Sequence, residues 1–218
     1  DVGGDLWPED YALLADMARA GELTLRIGYY VSGNTPGNEL EELRFWVETT
    51  PLLSGDDMWR LVGVGEVVVR AVHDGDSIAN PRGFTPRPGA LDAFRTVVRY
   101  LAEHGYRFQV HATQNATAMM LLDVIEEVDR EISFAGRRIA FAHVEDATAE
   151  TIARIQRLGG GITVQNRLAF TGERVLELWG PERARNAPPL RLQLDMGIPL
   201  GAGTDATRVA AYHPFLSL

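Results

Sequence analysis

Three short apolar runs, at residues 108–111, 139–143 and 200–205, end on His111, His143 and Asp205, and a helix-like segment or further chain follows each. Two imidazoles and a carboxylate at the ends of strand-like runs, in strand-then-helix order, severely restrict the fold. Parallel strands joined by helices bring such residues together at one mouth, as a (β/α) barrel does.

The alternation runs through the whole chain. Residues 8–20 predict a helix, with Tyr11, Leu14 and Ala18 at helical spacing and Gly21 as its stop. Strands are expected at roughly 23–30, 61–69, 107–112, 138–144, 161–165 and 199–204. The second of these is nearly all apolar and β-branched, the pattern of a strand covered on both faces. Leu91, Phe94, Val97, Val98 and Leu101 trace one face of a helix closed by Gly105. Further helices are expected near 38–49, 115–129, 172–186 and 190–196, and after Asp146, whose side chain suits an N-cap. Residues 74–88, rich in Gly, Pro, Asp and Asn, read as a long loop.

Regular βα alternation favours parallel strands with right-handed crossovers. The expected fold is α/β and (β/α) TIM-barrel-like, a single domain over residues 1–218. A complete barrel has eight strands, and six are legible here, so the barrel is expected to be incomplete. An open nucleotide-binding sheet is disfavoured, because neither a Gly-x-Gly-x-x-Gly turn nor a Gly-Lys-Ser/Thr phosphate loop occurs.

Composition removes several function classes. The net charge is -9 and no basic stripe is visible, which argues against nucleic acid as a partner. No apolar run approaches the roughly 20 residues of a membrane span. Cysteine is absent, so disulfides, zinc–thiolate sites and thiol nucleophiles are excluded. No Gly-x-Ser-x-Gly elbow offers a serine nucleophile. The compartment is not fixed by these features, and the cytoplasm is slightly favoured.

Four stretches, residues 109–116, 139–144, 158–165 and 197–206, resemble strands five to eight of the metal-dependent amidohydrolase superfamily. The likeness is to amidohydrolase family 3, in the branch of the N-substituted formamide deformylases. It implies His111 and His143 as metal ligands and Asp205 as the carboxylate that binds metal and takes a proton from water. By the same resemblance Glu66 stands where a bridging carboxylate or carboxylated lysine is expected. Gln165, His73 and His213 are candidate substrate contacts. The implied cofactor is a divalent metal, zinc above all, as one or two ions in the full-length enzyme, and the implied substrate is a small-molecule amide.

Two neutral imidazoles and one or two carboxylates suit zinc and related ions. Each residue also has a structural alternative. A strand-end histidine can simply be hydrogen-bonded in the barrel, and Asp205 can cap the segment behind it. An unpaired Glu66 would be costly to bury in its apolar run, so it needs a metal or arginine partner or a polar mouth. His104, beside Gly105, suits a helix C-terminus.

The family's first strand carries a His-x-His pair, whereas the five histidines here are isolated. The chain, opening on Asp1, is therefore expected to be strands three to eight of a longer enzyme, cleaved or cloned as a piece and inactive alone. A non-catalytic scaffold that binds or assembles is the alternative. Exposed barrel edges are expected to favour homo-oligomers.

Overall fold

The alternating apolar runs become six strands and seven α-helices in a computed structural model that describes residues 8–75, 80, 83–205, 213 and 215. The chain divides into two compact units, residues 1–73 with 86–110 and 130–133, and residues 74–85 with 111–129 and 134–218.

The first unit contains α1 (Pro8–Ala20), β1 (Ile27–Val31), α2 (Glu39–Thr49), β2 (Trp59–Val64), a single 3-10 turn (Arg70–Val72) and α3 (Ala90–Glu103). β1 and β2 pair in parallel, from Ile27 beside Trp59 to Val31 beside Val64. Leu43, Leu61, Phe94, Val98 and Leu101 are completely buried. Each such side chain contributes about 1.5–3 kcal/mol of transfer free energy. Tyr11 packs between Tyr29 and Trp46, with ring centroids 5.5 and 5.7 Å away, and its hydroxyl donates to the Tyr30 carbonyl at 2.6 Å.

β2 is shorter than the expected 61–69 because the backbone turns at Gly65, where φ is +142°. A Cβ there would collide with the carbonyl oxygen of Gln109, so glycine is required by space as well as by conformation. Val67, Val68 and Val69 stay buried beyond the strand, which explains their apolar character without a continued ladder.

β3 (Gln109–Ala112) carries the chain into the second unit at His111. There follow α4 (Asn115–Asp129), β4 (Ala140–His143), α5 (Ala149–Arg157), β5 (Gly161–Gln165), α6 (Leu168–Arg185), α7 (Leu190–Met196) and β6 (Leu200–Gly203). The sheet order is β3-β4-β5-β6, with Phe141 beside Ile162 and Val164 beside Ala202 in parallel register. Leu121, Leu122, Ile125, Phe134, Phe141, Ile152 and Ile155 are completely buried.

Two local expectations change. Thr148, not Asp146, caps α5, its hydroxyl accepting from the Thr151 N–H at 3.3 Å. α6 starts at Leu168 rather than near 172 and kinks at Gly180, where φ is +77° and Pro181 follows. Proline cannot donate the ladder hydrogen bond, so the helix resumes in a new direction.

The fold class is α/β with parallel sheets, of the incomplete (β/α)-barrel type. Among the described residues no helix is long and apolar enough to cross a membrane.

Candidate metal centre

Four neighbouring strands of the second unit's sheet each end near a polar residue in strand order: His111, His143, Gln165 and Asp205. Parallel pairing places β3 and β4 ends side by side, with Val144 N donating to Ala112 O at 2.8 Å and Glu145 N to Thr113 O at 2.9 Å. His111 and His143 are each 5% exposed.

Nε2 of His143 lies 2.8 Å from Nδ1 of His111, with the rings edge to face and centroids 4.2 Å apart. The far side of each ring is also occupied. His111 Nε2 lies 3.0 Å from the Gly75 carbonyl, 3.1 Å from Thr113 Oγ1 and 3.2 Å from Asp74 Oδ1. His143 Nδ1 meets Gln165 Nε2, which also reaches Asp205 Oδ2 at 3.2 Å. Asp205 is exposed and takes a left-handed φ of +51°.

With neutral rings, one proton each satisfies this chain of contacts. Gln165 donates to His143 Nδ1, His143 Nε2–H donates to His111 Nδ1, and His111 Nε2–H donates to the Gly75 carbonyl. A carboxylate or carbonyl behind a histidine is also the arrangement that orients a metal-binding imidazole. A bound ion would require the other His143 tautomer, with its proton on Nδ1, so that both facing nitrogens offer lone pairs.

Asp74 is the residue that sequence reasoning missed. It is buried, and its carboxylate accepts the Thr113 N–H at 3.1 Å and the Gln114 N–H at 3.2 Å. Burial pushes its pKa up, but the His111 hydrogen bond and charge and the Thr113 and Thr117 hydrogen bonds prevail, holding it at about 2. Its only signal was a position in a Gly- and Asp-rich loop, where aspartate ordinarily serves the turn.

Asp146 has a different task from capping its own helix. It accepts the Asn115 N–H at 2.6 Å, and Arg183 donates to it at 2.7 Å. Asn115 in turn accepts the Thr148 N–H at 3.0 Å and the Thr151 hydroxyl at 2.6 Å. These exchanges latch the loop after β3 to the loop after β4. Beside the latch lies a cavity of about 880 Å³, walled by Trp179, Pro188, Leu190 and Leu192 and rimmed by Arg183 and Arg185. The Arg183 guanidinium lies 3.9 Å from the Trp179 ring centre.

Glu66 belongs to the first unit, two residues beyond β2, and is half-buried. His73 ends the 3-10 turn, its N–H donating to the Arg70 carbonyl at 3.2 Å. His213 is exposed, with its ring 5.7 Å from that of Phe215. His104 closes α3, its Nδ1 lying 2.8 Å from the Tyr100 carbonyl.

Residues 2–218 match the model of the amidohydrolase family, and the chain belongs to that family. No curated protein matches the chain. Among solved structures it is similar to an uncharacterized metal-dependent hydrolase from Pyrococcus furiosus, with 22% identity and a TM-score of 0.67 over 92% of this chain and 41% of that one. Guanine deaminase from C. acetobutylicum, with guanine bound, shares 15% identity at TM-score 0.55 over 92% of this chain and 44% of its own. Atrazine chlorohydrolase from Arthrobacter aurescens, complexed with zinc, shares 17% at TM-score 0.52 over 91% and 42% respectively. At such identities the likeness is one of fold. The chain spans about two fifths of the length of the solved structures it matches.

Proposed function

We propose that this chain carries one side of a metal-dependent active site that hydrolyses amide-type C–N bonds in small molecules, in the manner of the N-substituted formamide deformylases. The supporting observation is the approach of two buried imidazoles, nitrogen to nitrogen, at 2.8 Å. Their far nitrogens are held by an amide and by a carboxylate-backed pocket, so the donor set suits a borderline divalent ion such as zinc.

His111 Nδ1 and His143 Nε2 would hold the ion, with Asp205 and Glu66 as the carboxylate donors that the family resemblance implies. When bound, such an ion polarises the substrate carbonyl and acidifies water. Asp205, exposed two residues beyond β6, would take a proton from water and return it to the departing nitrogen. Gln165 holds both Asp205 and His143, fixing the base relative to the donors. We assign self-association to β6, an edge strand whose Gly201, Ala202 and Gly203 are exposed.

The test is amine release from a panel of N-formyl and N-acyl amides by the natural gene product loaded with zinc. Release that disappears in His143→Ala supports the reading, and release that survives it ends the reading. The 218-residue chain alone is expected to be silent.

A further inference from the structure

The backbone at the end of β4 is strained in a way the local sequence does not favour. His143 has φ +78° and the β-branched Val144 has φ +40°. Left-handed residues of this kind are strained, the β-branched Val144 above all, and persist only where the surroundings fix them. The very next residue, Glu145, is 2% exposed and carries a carboxylate, and Arg167, 3% exposed, is its ion-pair partner. Burial raises the Glu145 pKa, against the lowering by Arg167.

Such a pair is an expensive way to stabilise a fold. Two well-packed apolar side chains of the same volume are often as good or better. Here, moreover, Glu145 Oε2 is buried with no hydrogen-bond partner among the described residues. What distinguishes the pair is its place. Arg167 follows β5 by two residues and immediately precedes α6, while Glu145 follows His143 by two. A second nitrogen of Arg167 stands 3.5 Å from Thr113 Oγ1, which itself lies 3.1 Å from His111 Nε2. The guanidinium thus touches the segments behind both histidines.

We propose that Glu145 and Arg167 are a positioning pair, which holds the left-handed His143–Val144 turn and so aims both imidazoles at one point. If the turn relaxed to extended backbone, the His143 side chain would swing away from His111, because side-chain direction follows the backbone. The value of this arrangement rests on the reading of His111 and His143 as metal donors, but the positioning itself does not.

The experiment separates the two. Ring ¹⁵N–¹H spectra of His111 and His143 are recorded on the metal-free chain for wild type, Arg167→Met, Glu145→Gln and Arg154→Met. Arg154 is the control, a largely buried arginine paired with Glu126 and Asp123 at 2.8 and 2.7 Å. Wild type and Arg154→Met are expected to show a single tautomer for His143. Arg167→Met and Glu145→Gln are expected to show the averaged pattern of an unrestrained imidazole. Glu145→Gln keeps the side-chain shape and carries the test if Arg167→Met does not fold. An unchanged His143 pattern in a folded variant overturns the proposal. Zinc competition on the same samples is expected to show at least about tenfold weaker binding in both variants. If wild type binds no zinc while the ring patterns still change, the positioning stands and the metal reading falls.

Discussion

The Asp74 carboxylate stands 3.2 Å from Nε2 of His111 while accepting the backbone N–H groups of Thr113 and Gln114. One buried acid therefore fixes both a candidate ligand and the loop that follows its strand. Asp74→Ala leaves those two N–H groups without this acceptor, and is expected to destabilise the chain by about 2–4 kcal/mol. The urea midpoint at neutral pH measures this loss.

Acid should expose the same group. Its folded pKa of about 2 lies below the ordinary 3.8, so the stabilisation is fully present above the unfolded value. It is lost as pH falls through the folded one. The melting-temperature gap between wild type and Asp74→Asn should hold steady from pH 6 to 5 and shrink progressively from pH 4 to 2. A gap that is flat down to pH 2 would contradict the assigned role.

Gln165 has one amide to serve two clients, His143 Nδ1 and Asp205 Oδ2. Gln165→Leu should leave the fold nearly intact, since the residue sits partly exposed at a strand end. Zinc affinity should nevertheless fall by roughly tenfold, because the ring loses the partner that orients it. Competition against a chromogenic chelator reads the difference, and an unchanged affinity would remove Gln165 from the site.

Asn115 is expected to matter for stability rather than chemistry. Its Oδ1 accepts from Thr148 N and Thr151 Oγ1, so Asn115→Ala unties the latch between two loops. The cost should be about 1–2 kcal/mol in urea unfolding, in line with the loss of a cap. Hydrogen exchange should rise first at the N-terminal turn of α5.

Gly65→Ala is predicted to be strongly damaging to the first unit. The added methyl meets the Gln109 carbonyl oxygen and the residue must keep φ +142°. A loss above about 3 kcal/mol, or failure to fold, is expected from combined overpacking and strain. Near-native melting of Gly65→Ala would show that the approach of the two backbones is looser than described.

Much of the architecture was legible because strong punctuation bounds its elements. Gly21 stops α1, and the Pro188–Pro189 pair opens α7, so their observed limits coincide with the expected ones. The strand-end positions of His111 and His143 could likewise be seen, since apolar runs lead straight into them. What stayed hidden depends on tertiary neighbours. Asp74 uses the same letters as an ordinary turn, and the Glu145–Arg167 pair joins residues from different loops. The left-handed Val144 leaves no compositional trace either, because a β-branched residue disfavours that conformation.

The break at Gly180–Pro181 divides α6 into two rods, with Trp179 ending the first and Arg183 on the second. The candidate ligands His111 and His143, by contrast, are rooted in hydrogen-bonded strands. Insertions, deletions or side-chain changes around this joint would therefore reshape the cavity wall while leaving the strand ends in register. The cavity wall and the paired imidazoles can therefore diverge separately, because they are written in different stretches of the chain.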